Sequence, residues 1–284
     1  MGRNMRGVLA GAVTLMLAAS TSLAQDGART MAVVSGARIS ISSAVGPVTV
    51  TAWDRSEVAV TGAGSSSDEY ELSGDAQRVT IRVHGTGPLQ VRVPRDAMLN
   101  VQTGAGPIMI RGVTRTIEAE SGSGPVRIEA KAQSITATGF SGGVVIVGGG
   151  SEITRAESAS GTVVVTDATG VVDASSSSGG VRVNGRVTDA RLFSVSGSVS
   201  FEGTVESGGR LTAETSSGSV MLRLPASTSA EFEFSTVTGR ISNSFGPSPD
   251  HTGTVGARLR FVVGSGGARI KGSTVSGSVT LRDR

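Results

Sequence analysis

A phrase of about eighteen residues recurs along most of this chain: an apolar residue, a small residue, Ser or Thr, glycine, then alternating Val and Ile. It reads Ile117-Glu118-Ala119-Glu120-Ser121-Gly122-Ser123-Gly124-Pro125-Val126-Arg127-Ile128 and returns as Leu211-Thr212-Ala213-Glu214-Thr215-Ser216-Ser217-Gly218-Ser219-Val220-Met221-Leu222. A fixed period of this length dictates architecture before any other signal, because one such unit cannot bury its own apolar face. Anchored on the glycine before the Val/Ile pair, the repeat falls at Gly87, Gly106, Gly124, Gly142, Gly161, Gly179, Gly197, Gly218 and Gly239, at spacings of 19, 18, 18, 19, 18, 18, 21 and 21 residues. Further anchors stand at Gly46 and Gly277.

Parity separates inside from outside, since strand side chains alternate between faces. Two and four residues after the anchor come pairs such as Ile108/Ile110, Val126/Ile128 and Val199/Phe201; seven and five before it come Ile117/Ala119, Leu211/Ala213 and Phe232/Phe234. Between them sit Arg127, Glu118, Glu120, Arg182 and Glu214, which face solvent. Helical periodicity is absent after the N-terminus, and β-branched residues dominate. Each unit therefore holds two short strands joined at a glycine corner, and stacking the units pairs every strand with its copies above and below. The expectation is an all-β, single-domain parallel β-solenoid, β-helix-like, of about 18–21-residue coils. A β-sandwich is the alternative, because regularly spaced short strands also fit it; the constancy of the spacing favours the solenoid.

Two hydroxyl columns accompany the corner. Three residues before the anchor stand Ser43, Thr103, Ser121, Ser158, Ser176, Ser194, Thr215, Thr236 and Thr274, broken by Gly139 and, before Gly87, by His84; one before it stand Ser123, Ser141, Ser160, Ser178, Ser196, Ser217, Thr238 and Ser276. Parity places both columns inward, where stacked hydroxyls would satisfy one another and the turn backbone.

The ends of the sequence speak to compartment. Arg3 and Arg6, the apolar run Val8 to Ala19 and Ser22-Leu23-Ala24 have the layout of a cleaved signal peptide over 1–24. That run is too short to span a bilayer, which takes about 20 residues. The mature domain is then 25–284, exported to periplasm, cell surface or medium. Cysteine is absent, so neither disulfides nor thiolate metal sites are available. Two of the three net positive charges leave with Arg3 and Arg6, and aromatic residues make up 3% of the chain, which argues against nucleic-acid binding.

Several patterns bear on chemistry. Gly139-Phe140-Ser141-Gly142-Gly143 matches G-x-S-x-G, but it falls on a repeat corner with no helix following. The two histidines, His84 and His251, form no zinc motif. Gly148-Gly149-Gly150 lacks the aspartate of a calcium-binding nonapeptide. Outward carboxylates such as Glu118, Glu129 and Glu214 are scattered over different coils rather than paired as a glycosidase requires. Neither catalytic nor metal-binding nor cofactor-binding residues are assigned.

Breaks in the repeat are the better binding candidates, because insertions in repeat proteins map to loops on one face. One, near 59–80, follows the only Trp, Trp53, and holds Asp68, Glu69, Tyr70 and Glu71; the other, near 244–256, holds His251. These six residues are the candidate partner contacts. The competing role for both breaks is to cap the solenoid ends.

Gly46-Pro47-Val48-Thr49-Val50-Thr51-Ala52-Trp53-Asp54-Arg55-Ser56-Glu57-Val58 resembles the opening of the bacterial putative-adhesin domain family, and Thr274-Val275-Ser276-Gly277-Ser278-Val279-Thr280-Leu281 resembles that family's last coil. The resemblance spans nearly all of the mature chain. It implies an exported, non-enzymatic, adhesin-like envelope protein that binds a glycan or cell-surface protein or acts as a scaffold. The alternative is a polysaccharide-active β-solenoid enzyme, a lyase or hydrolase.

Overall fold

The computed structural model describes residues 22–23, 28–62, 69–148, 150–248 and 256–284; Asp68, His251 and most of the leader segment fall outside them. The described chain is all-β, one large and mostly parallel sheet wound like a solenoid. Its register follows the repeat. Ile108 lies beside Val126, then Val144, Val163, Val181, Val199 and Val220, an unbroken aliphatic ladder. On the other face Leu99, Ile117 and Ile135 align in the same way. These residues are fully buried and belong to a single core. Removing a Val, Leu or Ile side chain from water contributes roughly 1.5–3 kcal/mol, so the stripe holds the stack together while the polar parity remains outside.

The corner explains the glycines. A Cβ on Gly179 would collide with the Gly161 carbonyl, one on Gly197 with that of Gly179, and one on Gly218 with that of Gly197. Successive coils approach so closely there that no side chain fits.

The first hydroxyl column is buried, as parity requires, but its bonding differs from the expectation. The hydroxyls bind the glycine backbone of two coils rather than one another. Ser194 Oγ accepts the Gly197 N–H at 2.8 Å and donates to the Gly179 carbonyl at 2.9 Å. Ser176 and Ser158 repeat the arrangement one and two coils earlier. The second column, Ser123 to Ser276, is exposed, because the turn at the glycine breaks strand parity.

Stacking in simple chain order also fails at both ends. The first coil, Arg38–Val45 and Val48–Trp53, lies between the second coil (Arg78–Val83, Leu89–Pro94) and the third (Met98–Ala105, Ile108–Arg111). At the other end the last coil, Ala268–Ser276 and Val279–Asp283, slots between Val199–Thr215/Val220–Leu224 and Ala230–Thr238/Ile241–Asn243. The hydroxyl relay records the same order: Thr274 donates to the Gly218 carbonyl and Thr236 to that of Gly277. Each terminal segment is thereby held on both sides, where a coil at an open end would fray.

Antiparallel strands then cover the stack. Tyr70–Gly74 pairs with Arg78–Val83, and Ala257–Val263 with Ala230–Thr238. Glu57–Gly62 pairs with Leu89–Pro94 and carries Arg29–Ala32 beyond it. Phe232 stacks on Phe261 at 4.8 Å between centroids and meets Phe245 at 5.8 Å, closing the C-terminal end of the core.

Candidate functional site

The Trp-Asp opening builds the N-terminal corner. Strand Val48–Trp53 ends where the chain must reverse into the covering strand Glu57–Gly62. Trp53 closes that turn by donating its indole N–H to the Glu57 carbonyl at 2.8 Å. The guanidinium groups of Arg55 and Arg92 lie 5.0 and 5.7 Å from its ring centre. Asp54 accepts from the Arg95 Nε at 2.5 Å, while Asp96 accepts from the Ser35 hydroxyl and, at 2.9 Å, from the Gly36 N–H. Ser35, Trp53, Asp54, Arg55, Arg95 and Asp96 line a shallow hollow of about 290 Å³.

The electrostatics of that hollow suit binding better than proton transfer. Arg95 beside Asp54 holds its carboxyl below the usual range, and the Ser35 hydroxyl does the same for Asp96. Both therefore stay ionised at neutral pH, and neither is poised as a general acid. Glu129 is likewise held low, clamped by Arg127 at 2.6 Å and Arg111 at 3.0 Å. Glu118 accepts from Asn100, and Glu214 pairs with Lys271. Among the described residues no three His, Cys or acidic side chains are grouped to hold a metal, and no helix is long and apolar enough to cross a membrane.

Of the remaining sequence candidates, the described ones, Glu69, Tyr70 and Glu71, lie at the N-terminal end without converging on one pocket. Tyr70 is only 6% exposed; its hydroxyl donates to the Val60 carbonyl and its ring lies under Arg29, so it packs as part of the covering layer. Burial raises its phenolic pKa. The Glu69 carbonyl accepts the N–H groups of His84 and Gly85. Glu71 is exposed and faces Arg82 across the antiparallel pair at 3.9 Å.

A second hollow lies on the hydroxyl corner of the middle coils, where no sequence candidate had been placed. Phe140 is 69% exposed and Phe193 40% exposed. They flank a recess of about 280 Å³ whose lining includes Thr138, Glu157, Ser175 and Ser177. The other five phenylalanines, Phe201, Phe232, Phe234, Phe245 and Phe261, are buried in the core or packed against it. The parity rule could have exposed Phe193, since it stands at an outward position between Leu192 and Ser194. The unit around it is otherwise regular, so nothing else in the repeat singles it out.

A family model described as Toastrack DUF4097 matches residues 36–203 and 178–282. The solved structures similar to this chain include a "putative adhesin" from Bacteroides fragilis, 12% identical over 90% of this chain and 96% of that one, with a TM-score of 0.46. Another is a "putative cell adhesion protein" from Clostridium sporogenes, 7% identical over 90% of this chain and 99% of that one, with a TM-score of 0.24. No match is found among curated proteins.

Proposed function

This chain belongs to the Toastrack DUF4097 family, and from that premise we propose that it is a non-enzymatic, adhesin-like protein of the cell envelope that binds a glycan along the side of its solenoid. In this reading residues 1–24 direct export and are removed, and 25–284 form one parallel β-solenoid of about 18–21-residue coils. The observation that supports binding is the recess between Phe140 and Phe193. Two exposed aromatic rings flanking one recess, where the other phenylalanines are buried or packed on the core, support the reading of this face as an interaction surface. Between them the hydroxyls of Thr138, Ser175 and Ser177 are available as donors and acceptors. That combination suits a sugar, whose C–H face stacks on a ring while its hydroxyls bond to the floor. The Trp53 corner, with Glu69 and Glu71 on the same end, is a second contact region in this proposal.

The test is glycan-array binding by the exported protein. Phe140→Ala and Phe193→Ala should each weaken retention at least tenfold while the thermal transition stays in place. Retention of no glycan, or retention indifferent to both substitutions, counts against the proposal. Turnover of a polysaccharide that is lost on replacing one carboxylate would establish the enzymatic alternative instead.

A further inference from the structure

The two ends of the solenoid are stepped in opposite ways. Beyond the outermost N-terminal coil, Arg78–Pro94, the first face carries one further coil-flanking strand, Tyr70–Gly74, and the second face carries Glu57–Gly62, Arg29–Ala32 and, outermost, Ser22–Leu23 of the leader; without the leader strand it carries two. Beyond the outermost C-terminal coil, the first face carries one, Ala257–Val263, and the second face, ending at Ile241–Asn243, carries none among the described residues. Placed end to end, two copies would have two intervening strands on each face. The first face would gain Ala257–Val263 and Tyr70–Gly74, the second Arg29–Ala32 and Glu57–Gly62. At about 4.8 Å per strand both faces advance by the same distance, so neither end has to bend to meet the other.

Strand direction and charge agree with this fit. Tyr70–Gly74 and Ala257–Val263 both run against the coil strands, and Ile241–Asn243 and Arg29–Ala32 both run with them, so each new junction is parallel. On the first face Glu71 continues the outward column of Arg82, and Arg258 that of Ser235. The new junction therefore sets Glu71 directly opposite Arg258, with Ser73 opposite Arg260. The stretch 69–75 carries Glu69, Glu71 and Asp75 and no cation, whereas 257–263 carries Arg258 and Arg260 and no anion. Like ends repel and unlike ends attract, which disfavours a closed twofold dimer and favours an open head-to-tail array.

We propose that the mature chain assembles head to tail with further copies of itself, the Ala257–Val263 edge of one molecule adding to the Tyr70–Gly74 edge of the next and Ile241–Asn243 adding to Arg29–Ala32. The outer side of Arg29–Ala32 is taken here by Ser22–Leu23. The second-face junction thus rests on the export reading above, in which cleavage after Ala24 removes that strand. Such an array would repeat the side-face recess along its length, turning weak single contacts into avidity.

Light scattering and oxidative cross-linking test the assembly on the chain beginning at Gln25, whether produced by export or expressed directly. Its mass should rise with concentration in open steps. Arg258→Glu should lower association at least tenfold, and Arg258→Glu with Glu71→Arg should restore it. The chain has no cysteine, so Glu71→Cys with Arg258→Cys should give a ladder of disulfide-linked multimers on oxidation, and either substitution alone should give none. The chain that keeps residues 1–24 should remain monomeric. A monomer at every concentration, a mass that saturates at two, or dimers linked through Cys at position 258 alone would overturn the proposal. Intact mass of the exported protein scores leader removal separately, and glycan retention by Arg258→Glu separates failure of assembly from failure of the binding reading.

Discussion

Between Ile108 and Thr215 the order of coils in space is the order in the chain, and at either end it is not. The middle coils repeat one solution: aliphatic ladder, glycine contact, hydroxyl bonded to the corners of two coils. At the ends the chain overshoots by one coil, returns through an antiparallel strand and inserts its first or last coil behind the outermost one. The middle shows how a short local rule propagates. The ends show that the same rule leaves the stacking order open, so that other contacts choose it.

The largest effect should come from breaking the close approach in the middle. Gly179→Ala sets a Cβ against the Gly161 carbonyl, and an overlap with backbone that cannot move aside places the cost at about 4 kcal/mol or more. Gly208→Ala meets no atom within 4 Å and suffers only its φ of +80°, a cost of about 1–2 kcal/mol. Urea unfolding of the two variants measures the difference, and equal losses would show that packing at the corner is not what selects glycine.

The relay comes next. Ser194→Ala leaves the Gly197 N–H and the Gly179 carbonyl without this partner and should cost about 1–3 kcal/mol. Thr103 sits in the same column near the N-terminal end, but its buried hydroxyl has no partner among the described residues. Thr103→Val should therefore be neutral or stabilising in the same unfolding experiment. If both substitutions cost alike, the relay adds nothing beyond volume.

At the N-terminal end, Trp53→Phe removes the bond to the Glu57 carbonyl and should cost about 1 kcal/mol. Faster amide exchange should be confined to Glu57–Gly62 and its neighbour Arg29–Ala32, with Val163–Ser176 unchanged. Exchange that quickened evenly along the stack would mean that the end and the middle open as one unit.

Acid should produce the smallest and most local change. Asp54, Asp75 and Asp96 all lie at the N-terminal end with pKa values held low, by Arg95, the Gln77 N–H and the Ser35 hydroxyl respectively. A depressed folded pKa contributes stability that is present above the unfolded value of about 3.9 and is lost as pH falls through the folded value. Exchange in the N-terminal covering strands should thus accelerate below about pH 4 ahead of the middle coils. These carboxylates are close to solvent, so the effect is a loosening rather than unfolding.

Much of the site was less legible than the frame. Trp53 stood out because it is unique and follows a break in the period, yet nothing in the sequence shows that its indole closes the turn onto Glu57. Tyr70 looked like part of an acidic surface loop, but pairing with Arg78–Val83 turns its ring onto the core. Phe140 was legible only as part of a G-x-S-x-G match. Its relation to Phe193 depends on the stacking of the two coils between them, and a distance along the axis is invisible to a reading that works one unit at a time.

What the sequence determined by itself is the content of a coil: which residues face inward, where the corner falls, and why that corner is glycine beside a hydroxyl. Those properties are local, set by strand parity and by the space between adjacent backbones. Only the tertiary structure decided which coil lies beside which at the ends. Most coils offer the same aliphatic edge and the same hydroxyl–glycine corner, so Thr274 could in principle have met any of several carbonyls. The covering strands Tyr70–Gly74 and Ala257–Val263 occupy the outer positions, and the first and last coils are left the single layer in which both of their edges are paired.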